Sequence, residues 1–408
     1  MYNLGIHILS FILKILSWFN LKIKKGVEGR RQTFSLLKEN LTSETKTIWF
    51  HCASLGEYEQ GLPVFESIRK KYPSHKIVLT FFSPSGYEIR KNTPIADVVT
   101  YLPLDTKSNA KQFLDIVNPE FTVFVKYDIW PNFLNTLKRR QGRAILISAL
   151  FRKNQSFFTW YGSHLRKALL AFDHIFVQNE NSKKLLRTIN ITNVTVSGDT
   201  RYDRVSNQLL QDNTLNFISE FKSDSLCIVI GSSWPEDEAL LIPYINKNAS
   251  KDLKFIIAPH NINNVQITNV TKNLNVDYVL FSEMEHKNIR DAEVFIVDTI
   301  GILSKIYSYA DIAYVGGAMG TTGLHNILEP AVFGVPIIIG KNYEKFPEAK
   351  LMIQEGGICS VNNINTLENQ LDRLINFSEE RLQLGAVNET FIKKNKGAVN
   401  QIIDYIRI

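Results

Sequence analysis

The sequence predicts an α/β protein built from two doubly wound domains in tandem, and three observations carry that expectation. At 408 residues the chain exceeds what one hydrophobic core usually supports. Short β-branched apolar runs alternate with amphipathic helical stretches, the rhythm of a parallel sheet wrapped by helices. The rhythm breaks in a more polar, helix-like stretch at 205–223 and then restarts. The expected division is a membrane-associating helix and basic flank at 1–25, one sheet domain at 26–210 and a second at 211–408.

The first segment, Leu4 to Phe19, is dominated by Ile, Leu, Phe and Trp. Asn3, His7, Ser10, Lys14 and Ser17 recur at steps of four and three, which puts them in one stripe of a helix. Lys14 near the middle costs a few kcal/mol in a spanning helix and little in one lying in the headgroup plane with the stripe toward water. No small-residue cleavage site follows. The alternatives are a single-pass anchor and a stripe packed on the protein's own core.

Charge location supports a lipid surface. The net charge is +7, yet Lys14, Lys22, Lys24, Lys25, Arg30 and Arg31 against Glu28 alone place +5 of it in residues 1–31. A protein that tracks a nucleic-acid polymer spreads its basic excess over a folded face, so no nucleic-acid partner is expected. The partner implied is an anionic membrane surface. The basic flank puts the following domain on the cytoplasmic face of the inner membrane. Cys52, Cys227 and Cys359 are too sparse for a zinc site or a disulfide framework and read as reduced residues near buried strands, with a catalytic thiol as the minor alternative.

Expected strands of the first domain are Thr47–His51, Ile77–Phe82, Val98–Leu102, Phe121–Val125, Ala144–Ser148, His174–Gln178 and Val194–Ser197. Those of the second are Leu226–Gly231, Phe255–Pro259, Tyr278–Phe281, Val294–Val297, Ile312–Val315 and Pro336–Ile339. In such sheets ligands lie at the carboxyl ends of strands, so the loops there are the candidates.

The loop His51-Cys52-Ala53-Ser54-Leu55-Gly56-Glu57 places Glu57 at a helix start, where it is available as a general base; plain N-terminal capping is the alternative. Ser83-Pro84-Ser85-Gly86 offers hydroxyls and amides to an anionic group, or again ordinary capping. Lys126-Tyr127-Asp128-Ile129-Trp130-Pro131-Asn132 puts a cation and a carboxylate after an apolar strand. In the second half, Gly231-Ser232-Ser233-Trp234 suits a phosphate. The run Gly316-Gly317-Ala318-Met319-Gly320-Thr321-Thr322-Gly323-Leu324-His325-Asn326-Ile327-Leu328-Glu329-Pro330 is the strongest segment. Its glycines allow close backbone approach to a phosphate, a helix is expected from near His325, and Glu329 one turn in can accept both ribose hydroxyls.

Taken in order, Ser54-Leu55-Gly56-Glu57, Ser83-Pro84-Ser85-Gly86, Asp128-Ile129-Trp130-Pro131-Asn132 and Gly323-Leu324-His325-Asn326-Ile327-Leu328-Glu329-Pro330 resemble the bacterial Kdo (3-deoxy-D-manno-octulosonic acid) transferases of lipopolysaccharide synthesis. Gly198-Asp199-Thr200-Arg201-Tyr202-Asp203 and Asp298-Thr299-Ile300-Gly301 fit the same pattern, and the resemblance runs to about Ala349. It implies a GT-B fold with the two domains facing across a cleft, CMP-Kdo as donor, a lipid A precursor (lipid IVA) as acceptor, and no metal or cofactor.

Carried over residue by residue, the resemblance makes Glu57 the base and Asp128 the second catalytic carboxylate. Ser232, Ser233, Gly317, His325, Asn326 and Glu329 would surround CMP. Three positions depart from the family pattern: Lys126 stands where an acidic residue is usual, Trp234-Pro235 follows the Gly-Ser-Ser loop, and His260 follows Ala258-Pro259 in place of Arg. Lys126, His260 and Lys341 are the candidate substitutes for the anion contacts, with Ser83 and Ser85 beside them. The rival readings are a GT-B enzyme with a UDP-sugar donor and a lipid acceptor, and a nucleotide-binding membrane scaffold without activity.

Overall fold

The computed structural model describes residues 2–406. The chain divides into two units, one of residues 1–204 with 396–408 and one of residues 205–395. The first break lies at Arg204/Val205, where the sequence suggested 210/211, and the last segment belongs with the first unit.

In the first unit two helices come first, α1 (Tyr2–Leu16) and α2 (Leu21–Asn40). The strands are β1 (Thr47–Cys52), β2 (Lys76–Phe81), β3 (Val98–Tyr101), β4 (Pro119–Val125), β5 (Arg143–Ala149), β6 (His174–Val177) and β7 (Val194–Val196). Between them run α3 (Leu55–Lys71), α4 (Pro84–Arg90), α5 (Lys107–Val117), α6 (Pro131–Arg139), α7 (Ser163–Leu169) and α8 (Glu180–Arg187). The sheet order is β3-β2-β1-β4-β5-β6-β7, and every pairing is parallel. Strand order reverses between β1 and β4, which makes the carboxyl ends of those two strands the switch point where ligands bind in such sheets.

Alternation along β1 explains why both sheet faces are dry. Trp49 joins Phe113, Phe124 and Phe133 in one core, while Ile48, Phe50 and Cys52 join Phe65, Ile77 and Ile145 in the other. At about 25 cal/mol per Å² of apolar surface, each such side chain contributes about 2 kcal/mol.

From α9 (Thr200–Gln208) the chain enters the second unit, with α10 (Asn216–Lys222), α11 (Pro235–Asn248), α12 (Asn264–Asn273), α13 (Leu303–Ile306), α14 (Leu328–Ala331), α15 (Pro347–Glu355), α16 (Ile364–Asn376) and α17 (Ser378–Asn395). Its strands are β8 (Leu226–Ser233), β9 (Leu253–Pro259), β10 (Tyr278–Leu280), β11 (Val294–Ile296), β12 (Ile312–Val315), β13 (Ile337–Ile339) and β14 (Ile358–Ser360). They form a second parallel sheet in the order β10-β11-β9-β8-β12-β13-β14, with the switch point between β8 and β12. The short β14 is a strand the sequence pattern did not reveal.

The last helix, α18 (Ala398–Tyr405), returns to the first unit. Ile402 and Ile406 are fully buried in the cluster containing Phe50 and Ile145. Asp203 fixes the return by accepting from the amides of Gly397 (2.8 Å) and Ala398 (3.1 Å).

The N-terminal helix sits opposite to its expected orientation. Its inward face holds Asn3, Ile6, Ser10, Leu13 and Ser17, so most of the polar stripe turns to the unit and not to water. The Tyr2 hydroxyl donates to Asp105 at 2.7 Å, and the Asn132 amide donates to Asn3 at 2.8 Å. Asp105 is itself buried because it caps α6, accepting from the amides of Asn132 and Phe133. The outward face is apolar, with Leu4, Ile8, Phe11, Ile12 and Ile15 exposed and Trp18, Phe19 and Leu21 more than three-quarters exposed beyond them. No helix among the described residues is long and apolar enough to cross a membrane.

Candidate active site

In the first unit the loops after β1, β2 and β4 carry the expected site residues. Glu57 lies in the first turn of α3, half-buried. Ser54, the residue at the start of that helix, does not cap its backbone; its hydroxyl donates to Glu57 Oε2. Lys126 Nζ stands 4.0 Å from Glu57 Oε1, with the two side chains 31% and 15% exposed. The loop after β4 therefore brings a cation to the candidate base. Lys126 does so from a left-handed backbone (φ 63), a conformation costing a non-glycine residue about 1–2 kcal/mol.

Asp128 is held differently. Its Oδ2 receives His51 Nε2 at 2.6 Å and the Trp130 indole N–H at 2.8 Å. Neighbouring Cys52 is fully buried; burial first, then the charges of Glu57, Asp128 and Glu59, push its thiol well above the ordinary range. Burial likewise pushes Cys227 up to about 12, so neither residue supplies a thiolate at neutral pH. Ser83 and Ser85 bond to each other at 3.0 Å, and Ser83 accepts from the Ser85 amide, the ordinary capping arrangement. A recess of about 260 Å³ adjoins that turn, lined by Leu9, Leu13, Ile23, Val27, Phe82 and Pro84 together with Lys22, Arg30 and Ser83.

In the second unit the loops after β8 and β12 meet at the switch point. Gly316 and Gly317 are required by close approach. A Cβ on Gly316 would lie 2.4 Å from the Ser232 carbonyl oxygen, and one on Gly317 (φ +95) would lie 2.0 Å from that of Gly323. The loop is organised by a residue whose role was hidden in the sequence, Asp237. Its Oδ2 accepts from the amides of Gly317 (2.8 Å) and Trp234 (2.9 Å), and its Oδ1 from the Tyr314 hydroxyl (2.8 Å). Burial raises its pKa against the lowering effect of those bonds. In the first turn of α11 it stands between Glu236 and Glu238, so its role is not apparent from its neighbours.

Ser233 is buried, and its hydroxyl donates to Glu238 at 2.8 Å. Ser232 is half-buried in a left-handed turn (φ 54). The helix expected from His325 begins only at Leu328 and lasts four residues, because the Asn326 side chain accepts the Leu328 amide and closes a turn ahead of it. A helix dipole therefore adds little here. Asn326 also donates to Glu329 Oε1 at 3.0 Å, which orients the expected ribose carboxylate.

The departures at Trp234 and His260 form one structure with His325. The Trp234 and His260 rings stack at 4.5 Å and 18°, and the Trp234 indole donates to His325 Nε2 at 3.1 Å. His260 and His325 lie 4.5 Å apart. Burial, then the neighbouring His260, lowers His325 to about 4, so its ring is neutral at pH 7 and its remaining N–H is on Nδ1. Burial also lowers His260. Lys341 is exposed beside Asn342, whose side chain donates to the Gly320 carbonyl at 2.7 Å, so the cation stands next to the Gly-rich loop.

A family model described as 3-Deoxy-D-manno-octulosonic-acid transferase (kdotransferase) matches residues 28–204. The 3-deoxy-D-manno-octulosonic acid transferase of Haemophilus influenzae is 27% identical over 376 residues, covering 88% of this chain and 86% of that one. The transferase of the same name from Chlamydophila psittaci is 27% identical over 90% of this chain and 86% of its own. That from Aquifex aeolicus is 26% identical over 84% and 90%. Among solved structures, the UDP-GlcNAc 2-epimerase of Neisseria meningitidis bound to UDP-GlcNAc aligns with a TM-score of 0.61 at 15% identity, covering 88% of this chain and 98% of that one. Acinetobacter baumannii MurG aligns with a TM-score of 0.54 at 12% identity, covering 88% and 99%. The last two show the fold alone, two parallel-sheet α/β domains of the GT-B kind. The family domain thus lies over the unit that carries Glu57 and Asp128, and over most of its length the chain is similar to 3-deoxy-D-manno-octulosonic acid transferases, which are glycosyltransferases.

Proposed function

We propose that this chain transfers Kdo from CMP-Kdo to a sugar hydroxyl of a lipid A precursor, at the cytoplasmic face of an anionic inner membrane. The observation that carries the reading is the meeting of Glu57 and Lys126 at the switch point of the first sheet. Glu57 takes the proton of the acceptor hydroxyl, whose oxygen attacks the anomeric carbon of Kdo as its bond to the CMP phosphate breaks. One carbon–oxygen bond forms, one breaks on the opposite face, and the configuration inverts. Ser54 keeps the Glu57 carboxylate turned to one side, and Lys126 supplies a positive charge beside it for the anionic substrates.

On the second unit, the Gly316–Gly323 loop supports close approach of CMP, and Glu329 with Asn326 takes the ribose. Lys341, His260 and the Nδ1–H of neutral His325 are the groups for the phosphate and the Kdo carboxylate. The lipid acceptor is supported by the apolar recess beside Ser83, which includes Lys22 and Arg30, a lining suited to an acyl chain under a phosphate. The exposed apolar face of α1, followed by Lys22, Lys24 and Lys25, is the surface for the membrane.

The test is a transfer assay in detergent with tetraacylated lipid A precursor, comparing CMP-Kdo with UDP-sugars. Kdo transfer from CMP-Kdo is expected. Product from a UDP-sugar alone would overturn the donor.

A further inference from the structure

Behind the candidate active site lies a polar chain that the proposed reaction does not by itself require. On β1, Trp49 and His51 point to the same side of the sheet and are wholly buried, as is Thr80 on the neighbouring β2. The Trp49 indole donates to Thr80 Oγ1 at 2.8 Å, and Thr80 Oγ1 meets His51 Nδ1 at 2.8 Å. His51 Nε2 then reaches Asp128 Oδ2 at 2.6 Å.

The direction of each bond can be deduced. A carboxylate oxygen only accepts, so the His51 proton facing it sits on Nε2. In the neutral ring Nδ1 must then accept, and the Thr80 hydroxyl is the donor, because its other acceptor, the Phe50 carbonyl, is at a longer 3.3 Å. Trp49, a donor only, fills the lone pair of Thr80. Every member is thereby satisfied and the tautomer is fixed from the core outward. The Trp130 indole N–H lies 2.8 Å from Asp128 Oδ2 and 2.9 Å from His51 Nε2; with the proton on Nε2 it donates to Oδ2, while Oδ1 accepts no bond among the described residues, in a side chain 21% exposed.

A buried histidine is more often a satisfied core residue than a functional one. Here its outer bond ends on the one oxygen whose capture leaves the other oxygen of Asp128 directed to solvent. We propose that His51 is the positioning residue for Asp128, holding Oδ2 so that Oδ1 is presented to the substrates, with Thr80 and Trp49 locking the imidazole. This rests on the reading of Asp128 as a catalytic carboxylate and assigns the residues that make it one. Phe124 and Trp130, at ring distances of 5.1 and 6.3 Å, close the ring's remaining sides and allow it one orientation.

The experiment is a double-mutant cycle on the full chain in detergent, with kcat and KM measured for CMP-Kdo and for lipid acceptor, and thermal unfolding followed in parallel. Asp128→Asn and His51→Leu should each lower kcat by about tenfold or more, with KM for CMP-Kdo within about twofold, since a bond to a charged group is lost. His51→Gln, which restores an amide donor near the Nε2 position, should recover most of that loss. In the Asp128→Asn background, His51→Leu should cost less than about twofold more. Equal losses in both backgrounds, or wild-type turnover in His51→Leu, overturn the positioning role. Wild-type turnover in Asp128→Asn overturns the reading of Asp128 itself, and the proposal with it. If His51→Leu fails to fold, Thr80→Val carries the same comparison, because it keeps the volume of the site and removes the hydroxyl that locks the imidazole.

Discussion

The carboxylate of Asp237 accepts a 2.8 Å hydrogen bond from the backbone amide of Gly317. The Gly-rich loop of the second unit is thus closed on a carboxylate of its own chain. Asp237→Ala would leave the Trp234 and Gly317 amides and the Tyr314 hydroxyl without an acceptor. We expect a loss of about 3 kcal/mol, from more than one unsatisfied buried donor, read as a lower urea midpoint, with weaker CMP binding by calorimetry. Asp237→Asn, which keeps one carbonyl oxygen, should lose less. An unchanged midpoint in the alanine variant would show that the loop is held without it.

Removing the candidate base should separate chemistry from binding. Glu57→Gln is expected to reduce kcat by about a hundredfold or more, the usual worth of a general base, with CMP affinity retained. Lys126→Ala should act more weakly, through the acceptor KM and the positioning of Glu57. If Glu57→Gln turns over normally but unfolds earlier, the residue is a helix cap.

His325 predicts a slope of stability on the acid side. Its folded-state pKa is lowered from 6.5 to about 4, by burial first and by His260 second. The unfolded chain therefore binds more protons in that window, and the second unit loses stability as pH falls from about 6.5 toward about 4. His260 shifts in the same direction. Urea midpoints at pH 7 and pH 5 should differ more for the wild type than for His325→Gln. An identical difference would place the acid sensitivity elsewhere.

Phe11→Asp with Ile15→Asp puts two charges on the outward face of α1 without touching Tyr2 or Asn3, which hold the helix to Asp105 and Asn132. Co-sedimentation with vesicles containing anionic phospholipid should fall several-fold, since each apolar side chain lost from the interface removes about 2 kcal/mol. Activity on detergent-dispersed acceptor should persist. Undiminished sedimentation would remove α1 as the contact.

The strands were legible because parallel strands covered on both faces must be apolar throughout. Ile48 to Phe50 and Val123 to Val125 announce themselves, whereas β14 has three residues, one of them exposed, and does not. The loops carrying Glu57 and Asp128 were legible for the same reason, as the first polar residues after such runs. What stayed hidden depends on partners distant in sequence. The periodic stripe of α1 gave its spacing correctly, but which side would be covered was decided by Asp105 and Asn132, more than 100 residues away. Nothing local to Asp237 says that its oxygens meet Gly317, and nothing local to Ser233 says that Glu238 occupies it.

The return of α18 has a consequence for synthesis on the ribosome. Val399, Ile402 and Ile406 fill a core whose other buried residues all come before 205. At roughly 5–20 residues per second, the intervening second unit takes on the order of 10–40 s to emerge. Through that interval the nascent first unit waits with the face around Phe50 and Ile145 unsealed. A nonsense codon just after Asn395 would leave the second unit's sequence whole, yet strand the first with a permanent apolar opening for chaperones and proteases to find.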